Sequence, residues 1–125
     1  MLVVNRFRNL QIPWLILFLI LSFNGLTQSP LRFYDKAKVG YKDAITGQVI
    51  VPAKYYAGSE YYEGFALVVQ DRKRGFLDEK GKMAIPLIYD DASVFNDGLA
   101  RVCLNRKHGY IDKSGKTVIP LDYDL

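Results

Sequence analysis

The apolar and polar positions of this chain follow two rhythms. Residues 12–23, IPWLILFLILSF, are apolar almost without interruption. From residue 31 onward the apolar runs shorten, and each is broken by a polar stretch that contains glycine. FALVVQ (65–70), GFLD (75–78) and MAIPL (83–87) are followed by LARVCL (99–104), GYID (109–112) and TVIPL (117–121). Runs this short, rich in Val, Leu and Ile and punctuated by Gly, predict strands joined by tight turns rather than helices.

The second rhythm is itself periodic. Gly47, Gly81 and Gly115 stand 34 apart, as do Pro52, Pro86 and Pro120, and Tyr55, Tyr89 and Tyr123. Residues 75–91 and 109–125 share nine identities in seventeen. LRFYDKAKVG (31–40) supplies the opening strand of a first, looser copy. The chain therefore divides into units 31–55, 65–89 and 99–123, each of three strands A, B and C, joined by the linkers YAGSEYYEG and DDASVFNDG. One unit has too little apolar surface to stand alone, whereas stacked units share a continuous core. The expected fold is all-β: three tandem three-stranded antiparallel β-meander units of about 34 residues, stacked as a small repeat array. Open stacking and closure into a small barrel both remain compatible with the pattern. Phe65/Leu99, Val68/Val102, Phe76/Tyr110 and Ile85/Ile119 are expected to fill equivalent layers.

The turns between strands B and C carry their own mechanism. DEKG (78–81) and DKSG (112–115) begin with Asp and end with Gly; DAITG (43–47) is one residue longer, so its geometry should differ. An Asp side chain accepts hydrogen bonds from the amides of its own turn, and Gly supplies the left-handed conformation that closes it. Asp43, Asp78 and Asp112 are thus turn-formers rather than catalytic acids. Proline lacks a donor, so Pro52, Pro86 and Pro120 are expected to mark where strand C leaves its sheet.

The string Gly-aromatic-(Ile/Leu)-Asp-x-x-Gly-Lys-x-x-Ile-Pro, then Tyr-Asp, then Phe-x-(Asp/Glu)-Gly-Leu-Ala resembles the WG repeat, also called the KWG repeat. The likeness covers residues 31–125 and is strongest in the second and third units. The tryptophan that names the family is replaced three times, by Val39, Arg74 and His108, while the lysine before it is kept at Lys38, Lys73 and Lys107. The resemblance implies a repeat module, often bacterial and often exported, with no general catalytic activity and no assigned ligand.

The first rhythm reads differently. Arg6 and Arg8 precede the apolar run, and the small polar NGLTQS follows it, which is the layout of a signal peptide over residues 1–28. The apolar run is well short of the roughly 20 residues a membrane-spanning helix needs. The expectation is export to the periplasm or beyond, with no stable span once the leader is cleaved; an uncleaved leader serving as an anchor is the alternative. All 13 acids and 15 of the 17 bases lie after the leader, so residues 29–125 carry a net charge of only +2 (15 − 13). That balance gives no reason to expect a nucleic-acid partner.

Candidate chemistry is sparse. The single cysteine, Cys103, excludes an internal disulfide, and a lone histidine, His108, excludes a histidine-rich metal site. The two should face each other across strands A and B, but Cys103 takes the place of Val69, an apolar slot where a cysteine acts as a small hydrophobe. A Cys103/His108 enzyme is the remote alternative; neither cofactor nor metal is expected. The A–B turns are more informative. Lys36-Ala37-Lys38, Arg72-Lys73-Arg74 and Arg106-Lys107-His108 recur at one place in each unit and would form a basic ladder able to steer an anionic partner. Tyr55 and Tyr61 should point inward, by analogy with Tyr89 and Phe95, which leaves Tyr56 and Tyr62 unexplained. The candidate partner-binding residues are therefore Lys73, Arg74, Arg106, Lys107, Tyr56 and Tyr62. The expected role is an exported non-enzymatic module that binds a protein or an anionic envelope polymer; the alternative is a self-associating structural protein of the envelope.

Overall fold

Eleven strands in three antiparallel sheets make up residues 28–123, the part of the chain that the computed structural model describes. The leader expected over residues 1–28 lies outside it, apart from Gln28. The first sheet holds β1 (Leu31–Asp35), β2 (Lys38–Lys42) and β3 (Val49–Tyr55) in that order. The second holds β4 (Ala57–Tyr62), β5 (Phe65–Gln70), β6 (Lys73–Leu77) and β7 (Met83–Tyr89). The third holds β8 (Asp91–Ala92), β9 (Leu99–Leu104), β10 (Lys107–Asp112) and β11 (Thr117–Tyr123). Each sheet is one predicted meander. The two extra strands, β4 and β8, come from the segments read as linkers: each leaves strand C of one unit and pairs with strand A of the next, so the linker belongs to both.

The turns form as their residues dictate. Asp78 Oδ1 accepts from the amides of Lys80 and Lys82, both at 2.9 Å, and Asp112 Oδ1 from those of Ser114 and Lys116 at 2.9 and 3.0 Å. Gly81 closes its turn at φ 82°. In the longer first turn Asp43 instead reaches Ile45 and Thr46, at 2.8 and 2.7 Å. Bonds to the ionised carboxylate favour it: the Ser114 hydroxyl, donating at 2.6 Å, and then the turn amides lower the pKa of Asp112, and the Thr46 and Ile45 amides lower that of Asp43. The A–B turns are two-residue hairpins with positive φ at both central positions, for example Asp71 at 51° and Arg72 at 65°.

Proline does not end strand C, contrary to expectation. β3, β7 and β11 run on through Pro52, Pro86 and Pro120 to the tyrosines. The reason is a bulge: Arg74 faces Tyr89 and Phe76 faces Ile85, so strand C spends two more residues than strand B over that stretch. A donor is not needed there, and proline is tolerated. The bulge presses strand C onto the glycine that follows the family's tryptophan position. A Cβ on Gly75 would lie 2.6 Å from the Ile85 carbonyl oxygen, so no larger residue fits.

The core forms between units. Val68 and Val102 are fully buried, as their layer predicts, but two expected pairings break. Phe76 is 0% exposed and Tyr110 37%, and Ile85 is buried while Ile119 is only partly so. The difference lies in what covers them. Phe76 packs against Phe95, from the segment after β8, with ring centroids 4.8 Å apart, and Tyr41 packs edge-on against Tyr61 of β4 at 5.2 Å. In units 1 and 2 the strand B aromatic is thus sealed by the aromatic that leads into the next unit. Among the described residues nothing plays that part for Tyr110.

Candidate functional site

Two junctions join the three units, and the same backbone geometry builds both. The Tyr56 amide donates to the Val69 carbonyl at 2.9 Å; 34 residues on, the Asp90 amide donates to the Cys103 carbonyl at 2.8 Å. Tyr56 and Asp90 therefore hold equivalent places beside an A–B turn. Their side chains behave oppositely. Asp90 accepts from Lys73 Nζ through one oxygen and from the Asn105 amide, at 2.8 Å, through the other. It ties the A–B turn of unit 2 to that of unit 3. Those bonds, the one from Lys73 foremost, hold the Asp90 carboxyl below its ordinary pKa. Tyr56 makes no such tie and is 74% exposed.

Beside Tyr56 the first junction opens into a groove of about 700 Å3. Lys38, Lys54, Arg72 and Arg74 bring positive charge to its walls; Tyr56, Val69 and Gln70 add an aromatic ring and a short semi-polar stretch. Asp71 and Asp90 are its acids. Lys54 is also placed by its own unit, with Nζ 5.4 Å from the centre of the Tyr55 ring. Lys38 belongs to the A–B turn of unit 1, and Arg72 and Arg74 to that of unit 2, so two rungs of the basic ladder meet in one groove.

Of the candidate residues, the groove gathers Tyr56 and Arg74. Arg74 is partly committed already, donating at 2.7 Å to the Asp90 carbonyl. Lys73 turns to the Asp90 carboxylate and is not on the groove wall. Arg106 is exposed at the third turn, and Lys107 is half-buried at the start of β10. Tyr62 is exposed at the far end of β4, beside the Glu63–Gly64 turn, away from the groove. Tyr55 is buried and Tyr61 half-buried, its hydroxyl donating to the Asp78 carbonyl at 2.7 Å. Sequence reasoning missed Lys54, whose counterparts are Ile88 and Asp122; departure from the repeat was the signal that pointed to it.

The positions of the lost tryptophans are filled in two ways. Val39 is buried in the core. Arg74 and His108 enter a polar chain across the second junction: Arg74 Nε lies 3.8 Å from one Asp91 carboxylate oxygen, Arg101 Nη2 lies 3.8 Å from the other, and Arg101 Nη1 lies 3.2 Å from His108 Nδ1. Cys103 and His108 are register partners in β9 and β10, as expected, with Cys103 8% exposed. Among the described residues no three His, Cys, Asp or Glu side chains converge as a metal site, and no helix is long and apolar enough to cross a membrane.

A tandem array of β-meanders whose linkers are shared strands defines a repeat protein. The family described as WG containing repeat matches residues 40–73, 75–107 and 109–125, and the chain belongs to it. Its matched segments start at Gly40, Gly75 and Gly109, the tightly packed glycines under the strand C bulge. No curated protein and no solved structure matches the chain.

Proposed function

We propose that this protein is an exported, non-enzymatic WG-repeat module that holds an anionic partner, a protein or an envelope polymer, in the groove between its first two units. One observation carries the reading. At equivalent backbone positions Asp90 ties the second junction shut, whereas Tyr56 leaves the first open between two basic turns. Export rests on the leader pattern of residues 1–28. The test is capture from envelope extract by the full chain beside a Lys38→Gln/Arg72→Gln variant. Capture lost in the variant supports the groove; equal capture by both moves the site elsewhere.

One observation favours self-association as a second reading: Tyr110 is exposed where Tyr41 and Phe76 are covered by the next unit. Sedimentation over a range of concentrations checks it, with Tyr110→Ser expected to abolish any dimer.

A further inference from the structure

We infer that the ligand of the groove is an acidic saccharide, a uronate-bearing glycan whose ring lies on Tyr56 and whose carboxylate is held by the Lys38 and Arg72 walls. The inference rests on the groove being the binding site, and it follows from which groups remain free there. An extended acidic peptide would bind most readily by adding a strand to an open sheet edge. The edge of β4 is closed to that mode. Arg32 Nη1 donates to the Gly58 carbonyl at 2.7 Å, and the Tyr41 hydroxyl donates to the Ser59 carbonyl at 2.8 Å. The Tyr56 amide is spent on Val69. Along β4, recognition is left to side chains.

Those side chains suit a sugar acid. Tyr56 offers a largely exposed ring, and the C–H face of a pyranose covers an aromatic ring while its hydroxyls stay at the rim. Arg72 has the planar fork that matches a carboxylate, and Lys38 adds a mobile point charge. Asp71, on the same wall, separates this ligand from a simple polyanion. A carboxylate in a cationic groove repels a purely anionic chain but accepts hydrogen bonds from hydroxyl groups, which a uronate carries beside its charge. A volume of about 700 Å3 is of the size that small-molecule sites commonly have.

The test is calorimetric titration of the full chain with a short oligogalacturonate, its methyl ester, and an oligoglutamate of equal charge. The oligogalacturonate should bind saturably. Esterification, Arg72→Gln and Tyr56→Ala should each weaken it by about tenfold, and oligoglutamate should bind at least about tenfold more weakly. Oligoglutamate binding as tightly, or Tyr56→Ala binding unchanged, overturns the saccharide. If oligogalacturonate fails to bind while extract capture still depends on Lys38 and Arg72, the saccharide inference is wrong and the groove stands. If that capture is also independent of them, both readings fall.

Discussion

The two junctions of this protein are one piece of backbone written with different side chains. Junction two, between units 2 and 3, is closed at both ends. Asp90 bridges the A–B turns, and at the opposite end Glu63 accepts from the Asp97 and Gly98 amides at 2.6 and 2.9 Å, with Lys113 Nζ at 3.3 Å. Junction one has Tyr56 in place of Asp90 and, in the strand register that matches Tyr41 to Phe76, Gln28 in place of Glu63; the neighbouring Ser29 donates to Glu79. The aromatic seal between sheets is common to both, so stability and openness are set by separate residues. A repeat protein can vary one junction for binding while the stacking contact keeps the array together.

The largest expected effect comes from breaking what the junctions share. Phe95 is buried against Phe65 and Phe76, and Phe95→Ala should cost about 3–5 kcal/mol in chemical denaturation. Tyr61→Ala, at the half-buried counterpart, should cost less. Equal losses would mean that the seals do not differ in burial as described.

The seals also differ in a matched pair. Where junction one has Tyr41 over Gly58, junction two has Phe76 over Ala92. A Cβ on Gly58 would lie 2.4 Å from the Tyr41 hydroxyl oxygen, which explains the smaller residue beneath the larger ring. Gly58→Ala should destabilise by about 1–3 kcal/mol. In a Tyr41→Phe background that penalty should fall by at least about 0.5 kcal/mol, a coupling a double-mutant cycle resolves. Additive effects would mean that Val39, whose Cγ1 would lie 2.9 Å away, is the real obstacle.

Much of this was legible in the residues. Three units, nine of the eleven strands, the Asp–Gly turns and the inward Tyr55 followed from a 34-residue period and local turn chemistry, which act within a few residues. Four things were not. β4 and β8 read as linkers because AGSEYY and DA are short of β-branched residues, and their pairing is made by the neighbouring unit. Pro86 read as a strand end because a bulge depends on the opposing strand. Tyr110 read as core because it matches Phe76, and burial there depends on a covering unit rather than on the residue. The basic ladder was visible, but the pairing of Lys73 with Asp90 was not, since Asp90 opens the segment DDASVFNDG, which reads as a linker.

A smaller effect separates the junctions by pH. The Asp90 carboxyl is held below its ordinary value by Lys73 and the Asn105 amide. A group whose folded pKa is depressed stabilises above its unfolded pKa, about 3.9 for Asp, and loses that contribution as pH falls through the folded value. Junction two should therefore loosen in acid, while junction one, with no carboxylate at position 56, lacks this transition. The Asn105 amide resonance should titrate with a midpoint below about 3.9, and Asp90→Asn should remove that step. A midpoint at or above the ordinary value would show that the clamp does not persist in solution.

The smallest change in stability, and the sharpest test of the comparison, is Tyr56→Asp. It writes the closed junction's residue into the open one. The counterparts of Lys73 and Asn105 are Lys38 and Asp71, and the Asp71 amide stands where the Asn105 amide does. The new carboxylate should therefore take Lys38 Nζ and the Asp71 amide as partners, with stability changed by no more than about 0.5 kcal/mol. Amide exchange at Asp71 should slow, the groove should narrow, and capture of an anionic partner should fall at least as far as in Tyr56→Ala, because Lys38 is now engaged. The reciprocal Asp90→Tyr should speed exchange at Asn105. A Tyr56→Asp chain that closes the groove yet still captures its partner would separate the groove from function. One that leaves the Asp71 amide exchanging as before would show that Asp71's own charge, absent from junction two, keeps the first junction open, and that Tyr56 is a consequence of that opening rather than its cause.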